Sequence, residues 1–187
     1  MNVTAVYILS ASLLLVAAVI IFRIFIRRDY FRRGRLTIFS SSLQALIFFV
    51  YGGFPSIYLP DDWPVSHMNS VLRFIGLALI TIGLTTLLIG MFYLGIARSL
   101  GQQTGILRQS GLYRLTRNPQ VLGCGLYITG FALLWPSWYA LGWAILFIPM
   151  IHLMVLTEEE HLRREHGMEY ERYIERVVRY LGFPKKG

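Results

Sequence analysis

The chain has 187 residues and 18 Lys+Arg against 10 Asp+Glu, a formal charge of +8. It is 55% hydrophobic and 14% aromatic, with a mean hydropathy of +0.54, which excludes a disordered chain and argues against a water-soluble globular domain. The length suits one compact domain, and the single cysteine, Cys124, excludes an internal disulfide framework and a multi-cysteine zinc site.

A basic balance fits nucleic acid as readily as lipid, so the placement of the charges decides. No Asp, Glu, Lys or Arg occurs in 1–22, 36–60, 74–97 or 118–157. A helix rises about 1.5 Å per residue, so about 20 apolar residues cross the roughly 30 Å hydrocarbon layer. The first three stretches are each one span long, whereas the fourth holds 40 residues, enough for two. Near its middle lies Trp135-Pro136-Ser137-Trp138, a tight turn at the interface where indole rings prefer to sit. Five transmembrane helices are expected, at 3–26, 37–59, 72–97, 119–135 and 138–157. No stretch alternates apolar and polar residues as barrel strands do, so the fold is predicted to be all-α. Gly52-Gly53-Phe54-Pro55 is expected to kink or break the second span.

The distribution of Arg and Lys predicts the orientation. The first connection carries Arg23, Arg27, Arg28, Arg32, Arg33 and Arg35 against Asp29. The second carries Asp61 and Asp62, with Arg73 at its edge, and the third carries Arg98, Arg108, Arg114 and Arg117 with no acid. The fourth turn is uncharged, and seven Arg and Lys follow Thr157. This alternation places the N-terminus outside and the C-terminal segment in the cytoplasm. A cleaved signal peptide carries positive charge ahead of its apolar run; here the charge follows, so the first span reads as a retained anchor. The domain organisation is one membrane domain over 1–187: three spans in 1–97, then a half at 98–187 with a helical hairpin at 119–157 and a tail at 158–187.

Two cytoplasmic segments are more than connectors. The first, 98–119, contains Gly101, Gly105 and Gly111 and ends in Asn118-Pro119, where one helix stops and another begins. By itself it also reads as a flexible basic loop held on lipid headgroups. The second, 157–184, opens with Glu158-Glu159-Glu160, acids placed where a positive-inside bias expects Lys and Arg. Beyond them Leu162, Tyr170, Tyr173, Ile174, Val177, Val178 and Leu181 share a helical face, interrupted near His166-Gly167. A basic amphipathic helix on anionic lipid accounts for that face but not for the three glutamates, which such a surface repels.

Two motifs carry a resemblance. Gly111-x-Tyr113-x-x-x-Arg117-Asn118-Pro119-x-x-x-Gly123 resembles the G-x-Y-x-x-x-R-H/N-P-x-Y-x-G block of the isoprenylcysteine carboxyl methyltransferase and phospholipid methyltransferase superfamily. Glu158-Glu159-x-x-Leu162, then Gly167-x-x-Tyr170-x-x-Tyr173 and Arg179, is similar to that superfamily's C-terminal block. The resemblance implies an integral-membrane methyltransferase that uses S-adenosyl-L-methionine, bound at the cytoplasmic ends of the last helices. Carried over position by position, it implies cofactor contacts at Gly105, Ile106, Leu107, Arg108, Tyr113, Arg117, Asn118, Pro119, Gln120, Val121, Glu158 and Glu159. Glycines and the helix start at Pro119 offer free N–H groups to a carboxylate. Tyr113 offers a face for adenine, and Glu158 an acceptor for hydroxyls or an amine, or a charge beside the sulfonium.

The chain departs from the motifs at three points. Asn118 stands for histidine, and Val121 for the tyrosine two residues after proline. Met154, at the substrate-reading position four residues before Glu158, stands for the arginine of the isoprenylcysteine enzymes. Positions four apart share a helix face, so a carboxylate substrate loses its counter-charge there. The expected acceptor is lipid-like or membrane-partitioned: a prenylcysteine carboxylate, a lipid amine or a thiol, entering from among the membrane lipids. An amine must lose a proton, for which Glu158, Glu159 and His161 are candidates, with Glu158 the catalytic choice. Two alternatives stand beside this reading: an NADPH-dependent sterol-reductase-like enzyme, and a non-catalytic membrane protein that retains the scaffold. The compartment expected is the inner or plasma membrane in a prokaryote and the endoplasmic reticulum in a eukaryote.

The remaining polar residues have plainer readings. His161, His166 and Glu165 lack the spacing of a zinc helix, and no metal is expected. His152 reads as a hydrogen-bonded packing residue and Cys124 as a small apolar packer. Gly123, Gly125 and Gly130 allow close helix packing, and the Arg23 to Arg35 cluster signals topology and headgroup contact.

Overall fold

The structure, a computed structural model, describes residues 2–59, 69–95, 99, 101–102 and 107–181. The principal helices among the described residues are α1 Val3–Arg33, α2 Ile38–Gly53, α3 Ser70–Leu94, α4 Pro119–Leu134, α5 Trp138–His166 and α6 Met168–Arg176. No strand occurs among the described residues, which bears out the all-helical reading; Thr116 and Val178 form an isolated parallel bridge.

The starts and stops are local chemistry. Side chains of Asn2, Thr37, Asn69 and Ser137 accept from the orphan N–H groups of α1, α2, α3 and α5. Gly34 at φ +67° ends α1, and Gly167 at φ +49° ends α5, both in the left-handed region that glycine enters without penalty. α2 stops at Gly53 and continues as a 3-10 turn over Phe54–Ile57, the break expected at the Gly-Gly-Phe-Pro run.

Among the described residues four helices are long and apolar enough to cross a bilayer: Val3–Arg33, Ile38–Ile57, Ser70–Leu94 and Trp138–His166. The fifth expected span, α4, has 16 residues, about 24 Å at 1.5 Å per residue, short of the roughly 30 Å layer. α1 and α5 also run past the expected ends at 26 and 157, each as one continuous rod. In α1 the buried residues Leu14, Ala18, Phe22, Ile26 and Tyr30 recur every fourth position. A pure α-helix would turn that stripe off the core, and the π segment Ile20–Ile26 widens the turn enough to hold it there. Away from the core the apolar side chains face outward, among them Phe49 at 80% and Trp138 at 86% exposed, as lipid-facing residues do.

α3 rests on α4 through glycines seven residues apart. A Cβ on Gly83 would stand 2.6 Å from the Gly123 carbonyl, and one on Gly130 2.6 Å from the Gly76 carbonyl. Backbone therefore touches backbone, the arrangement that small residues permit in lipid. Gly123 and Gly130 do what the sequence suggested, while Gly125 faces the Phe147 ring at 3.8 Å.

Candidate functional site

Consecutive residues on a helix point about 100° apart, and α5 uses this to send its three glutamates to three places. Glu160 reaches α1: its carboxylate accepts from Arg23 Nη2 and Arg27 Nε, each at 2.7 Å. The Arg23 to Arg35 cluster thus has an internal role at its first two members. Glu159 turns toward the C-terminal segment, and Glu158 faces a cavity.

Glu159 joins the two motif blocks. Its side chain is 3% exposed and accepts from Arg117 Nη2 at 2.9 Å and Arg179 Nη2 at 2.6 Å. Arg117 also donates through Nη1 to the Val177 carbonyl at 3.2 Å, and its backbone N–H donates to the Val178 carbonyl at 2.9 Å. The Arg179 carbonyl accepts from Thr116 Oγ1 and from Asn118 Nδ2, at 3.1 and 3.0 Å. Tyr173 closes the seam by donating to the Tyr113 carbonyl at 2.7 Å. The partnership with Glu159 raises the pKa of Arg179, so this guanidinium stays charged. Residues more than 40 positions apart in sequence are held as one unit, with Tyr170, Tyr173 and Val177 buried against Leu107, Leu162 and Ile174. The tail face expected to lie on lipid is therefore mostly internal, and Leu181, 78% exposed, is the exception.

Beside this seam lies a cavity of about 310 Å³, at the lower end of the range for small-molecule sites. Leu107, Arg108, Tyr113, Arg117, Asn118, Pro119, Gln120, Val121, Met154 and Glu158 all line it, so Tyr113 and Glu158 share one hollow. Gly105 and Ile106 lie outside the described residues. Glu159 is not among the lining residues; its carboxylate is spent on the two arginines.

Three features of the walls suit a zwitterionic, cationic guest. Glu158, half-buried, accepts no hydrogen bond and forms no ion pair among the described residues, and a carboxylate drawn partly out of water is costly until a cation joins it. The Arg108 guanidinium has its Nε buried without a partner among the described residues. α4 begins at Pro119 with no side-chain cap, and its first turn, Pro119, Gln120 and Val121, lines the cavity with backbone N–H groups that a helix start leaves without partners. Tyr113 is buried and its phenol is pushed up by desolvation first and by the Glu158 charge second, which keeps it a neutral ring.

The opposite wall comes from the N-terminal half, where the sequence carried no readable motif. Tyr30 of α1, Gln44 and Phe48 of α2, and Leu87 and Met91 of α3 all reach the cavity. Gln44 donates to the Met154 sulfur at 3.7 Å, so the position lacking arginine is met by an amide. His161, already a candidate proton acceptor from the sequence, and Glu165, which sequence reasoning did not place, follow Glu158 at the i+3 and i+7 positions of its helix face and line the cavity. That periodicity was available in the sequence. His152 shares a 3.2 Å hydrogen bond with the Tyr180 hydroxyl, the packing role expected, and Cys124 packs among core residues. The described residues contain no cluster of His, Cys, Asp or Glu fit to hold a metal.

A short, mostly apolar hollow with one lone carboxylate, walled by membrane-type helices and closed by a polar seam, defines a membrane-protein site for a small charged ligand. The model of the phospholipid methyltransferase family matches residues 71–169, just over half the chain, and the protein belongs to that family. Comparison with curated proteins and with solved structures finds no match. The family is one of membrane methyltransferases of the phospholipid and isoprenylcysteine kind, in general dependent on S-adenosylmethionine.

Proposed function

We propose that the protein binds S-adenosyl-L-methionine in the cavity between Tyr113 and Glu158 and methylates a membrane-partitioned acceptor. The observation that carries this reading is the convergence of both motif blocks on one hollow lined by Tyr113 and by Glu158, whose carboxylate lacks a partner among the described residues. The bound cofactor would supply an electrophilic methyl group on a sulfonium. Glu158 holds the positive end of such a guest, Arg108 and the α4 N-terminus hold its carboxylate, and Tyr113 presents a ring face to its base. Glu159 positions these groups by tying the loop that carries Tyr113 and Arg117 to the tail. The protein contributes binding, orientation and the exclusion of water. The N-terminal helices supply the apolar wall for the acceptor, with Gln44 and Met154 at the boundary between its polar and apolar parts. With Arg117 committed to Glu159 and Met154 in place of arginine, the wall of α5 offers an acceptor carboxylate no cation, which favours an uncharged or amine-bearing lipid headgroup.

Calorimetry on detergent-purified protein tests the reading. S-adenosylhomocysteine is expected to bind at one site, and NADPH is not. Binding of NADPH instead, or of neither, overturns the proposal.

A further inference from the structure

One polar constellation in the cavity is left over once Glu158 is assigned to the cationic guest. His161 is 7% exposed, and its Nε2 stands 2.9 Å from the Glu165 carboxylate one turn further along α5, close enough for charge pairing but out of line for a hydrogen bond. The Tyr30 ring of α1 lies flat against the imidazole, with centroids 4.3 Å apart and planes 7° from parallel. All three residues line the cavity, His161 and Glu165 on the same face of α5 as Glu158 and Tyr30 from α1. Tyr30 is itself held from behind: a Cβ on Gly101, which sits at φ +68°, would meet its hydroxyl at 2.6 Å, so the loop backbone is pressed onto the ring.

An imidazole whose ring plane is clamped, and one of whose nitrogens faces a carboxylate, is the arrangement by which proteins hold a general base in one orientation. We propose that His161 is the proton acceptor for an acceptor substrate that enters protonated, with Glu165 as its positioning residue and Tyr30 fixing the ring. The step is a simple proton transfer. The N–H bond of an ammonium acceptor breaks with its electron pair left on nitrogen, and the proton bonds to the free ring nitrogen of His161. The resulting imidazolium is balanced by Glu165, and the nitrogen keeps the lone pair that methylation requires. A carboxylate acceptor needs no such group, so the dyad sorts the acceptors toward amines and thiols. The inference rests on the methyltransferase reading of the same cavity.

The charged and titratable groups around the imidazole are Tyr30 from α1, Arg108 across the cavity, and Glu158, Arg164, Glu165 and His166 on its own helix. The test is a pH profile of kcat/KM for methyl transfer from labelled S-adenosylmethionine to phosphatidylethanolamine vesicles, with the protein in nanodiscs. In the wild type the rate is expected to rise with pH through a single titration and then level. His161→Gln is expected to lower the plateau by about 10²- to 10⁴-fold, the usual contribution of a positioned base, and to abolish that titration. Glu165→Gln is expected to keep the titration but move it to lower pH, because the imidazolium loses its counter-charge. S-adenosylhomocysteine affinity, measured calorimetrically, is expected to stay within threefold in both variants, and His161→Asn serves if the glutamine variant is poorly folded. A wild-type protein that does not bind S-adenosylhomocysteine refutes the methyltransferase reading. A wild type that binds it while His161→Gln keeps the pH limb, or that methylates a prenylcysteine carboxylate and no amine, refutes this inference alone.

Discussion

Removing the Glu159 carboxylate should undo the site without touching the cavity wall. In the Glu159→Ala variant Arg179, 31% exposed, can turn to solvent, but Arg117, 7% exposed, cannot. Arg117 keeps its bonds to the Ile174 and Val177 carbonyls, at 3.4 and 3.2 Å, yet its charge loses the only carboxylate it meets among the described residues. Breaking a buried pair by deleting one partner costs about 3–5 kcal/mol. At 1.4 kcal/mol per tenfold, the closed arrangement of loop and tail becomes roughly 10²- to 4 × 10³-fold less favoured. Hydrogen exchange followed by mass spectrometry reads this directly, with faster exchange expected over residues 113–118 and 168–179 and little change in the interior of α1. S-adenosylhomocysteine affinity should fall as well, although Glu159 does not line the cavity. A Glu159→Ala, Arg179→Ala double variant should be no worse than the single, since both changes break the same link. Unchanged exchange at the tail in Glu159→Ala would refute the view that this carboxylate joins the two blocks.

Other expectations follow from the same geometry. Glu158→Gln should weaken S-adenosylhomocysteine binding at least tenfold while leaving Tm unchanged or higher, because the substitution removes an unpaired, half-buried carboxylate; a fall in both would mark Glu158 as structural. Gly123→Leu places side-chain carbon where a Cβ already stands 2.6 Å from the Leu87 backbone nitrogen, so α3 and α4 must separate at a cost of about 1–3 kcal/mol or more. Chemical denaturation in mild detergent measures that loss, and Gly125→Ala, facing only Phe147 at 3.8 Å, provides the tolerant control. Arg27→Ala breaks a contact between half-exposed groups and should cost no more than about 1 kcal/mol, less at high salt.

Much of this fold could be read from the sequence because bilayer thickness and charge exclusion act on long segments. The charge-free runs located all five apolar helices, Ser137 and Pro119 marked two starts, and Gly167 marked the end of α5. What the runs did not give was the length of α5, which continues past 157 to His166, because a helix ends at its cap and not at the edge of an apolar stretch. The site was half legible. The second half of the chain announced itself through spacing at Tyr113, Arg117, Asn118, Glu158 and Arg179, and those residues do converge. Tyr30, Gln44 and Phe48 were illegible, since an isolated residue in an apolar helix acquires its meaning only from what packs opposite. Glu159 was grouped with Glu158 by motif adjacency, yet neighbours on a helix face different ways.

That angular offset also sets what α5 tolerates. Inserting a single residue between Thr157 and Glu158 would advance every later side chain by about 100°. The carboxylate meant for the Arg117 guanidinium would swing elsewhere, and the imidazole would leave the Tyr30 ring. Point changes on the lipid side of this rod are cheap, whereas a change in its residue count would dismantle the clamp to α1, the seam to the tail and the cavity wall together.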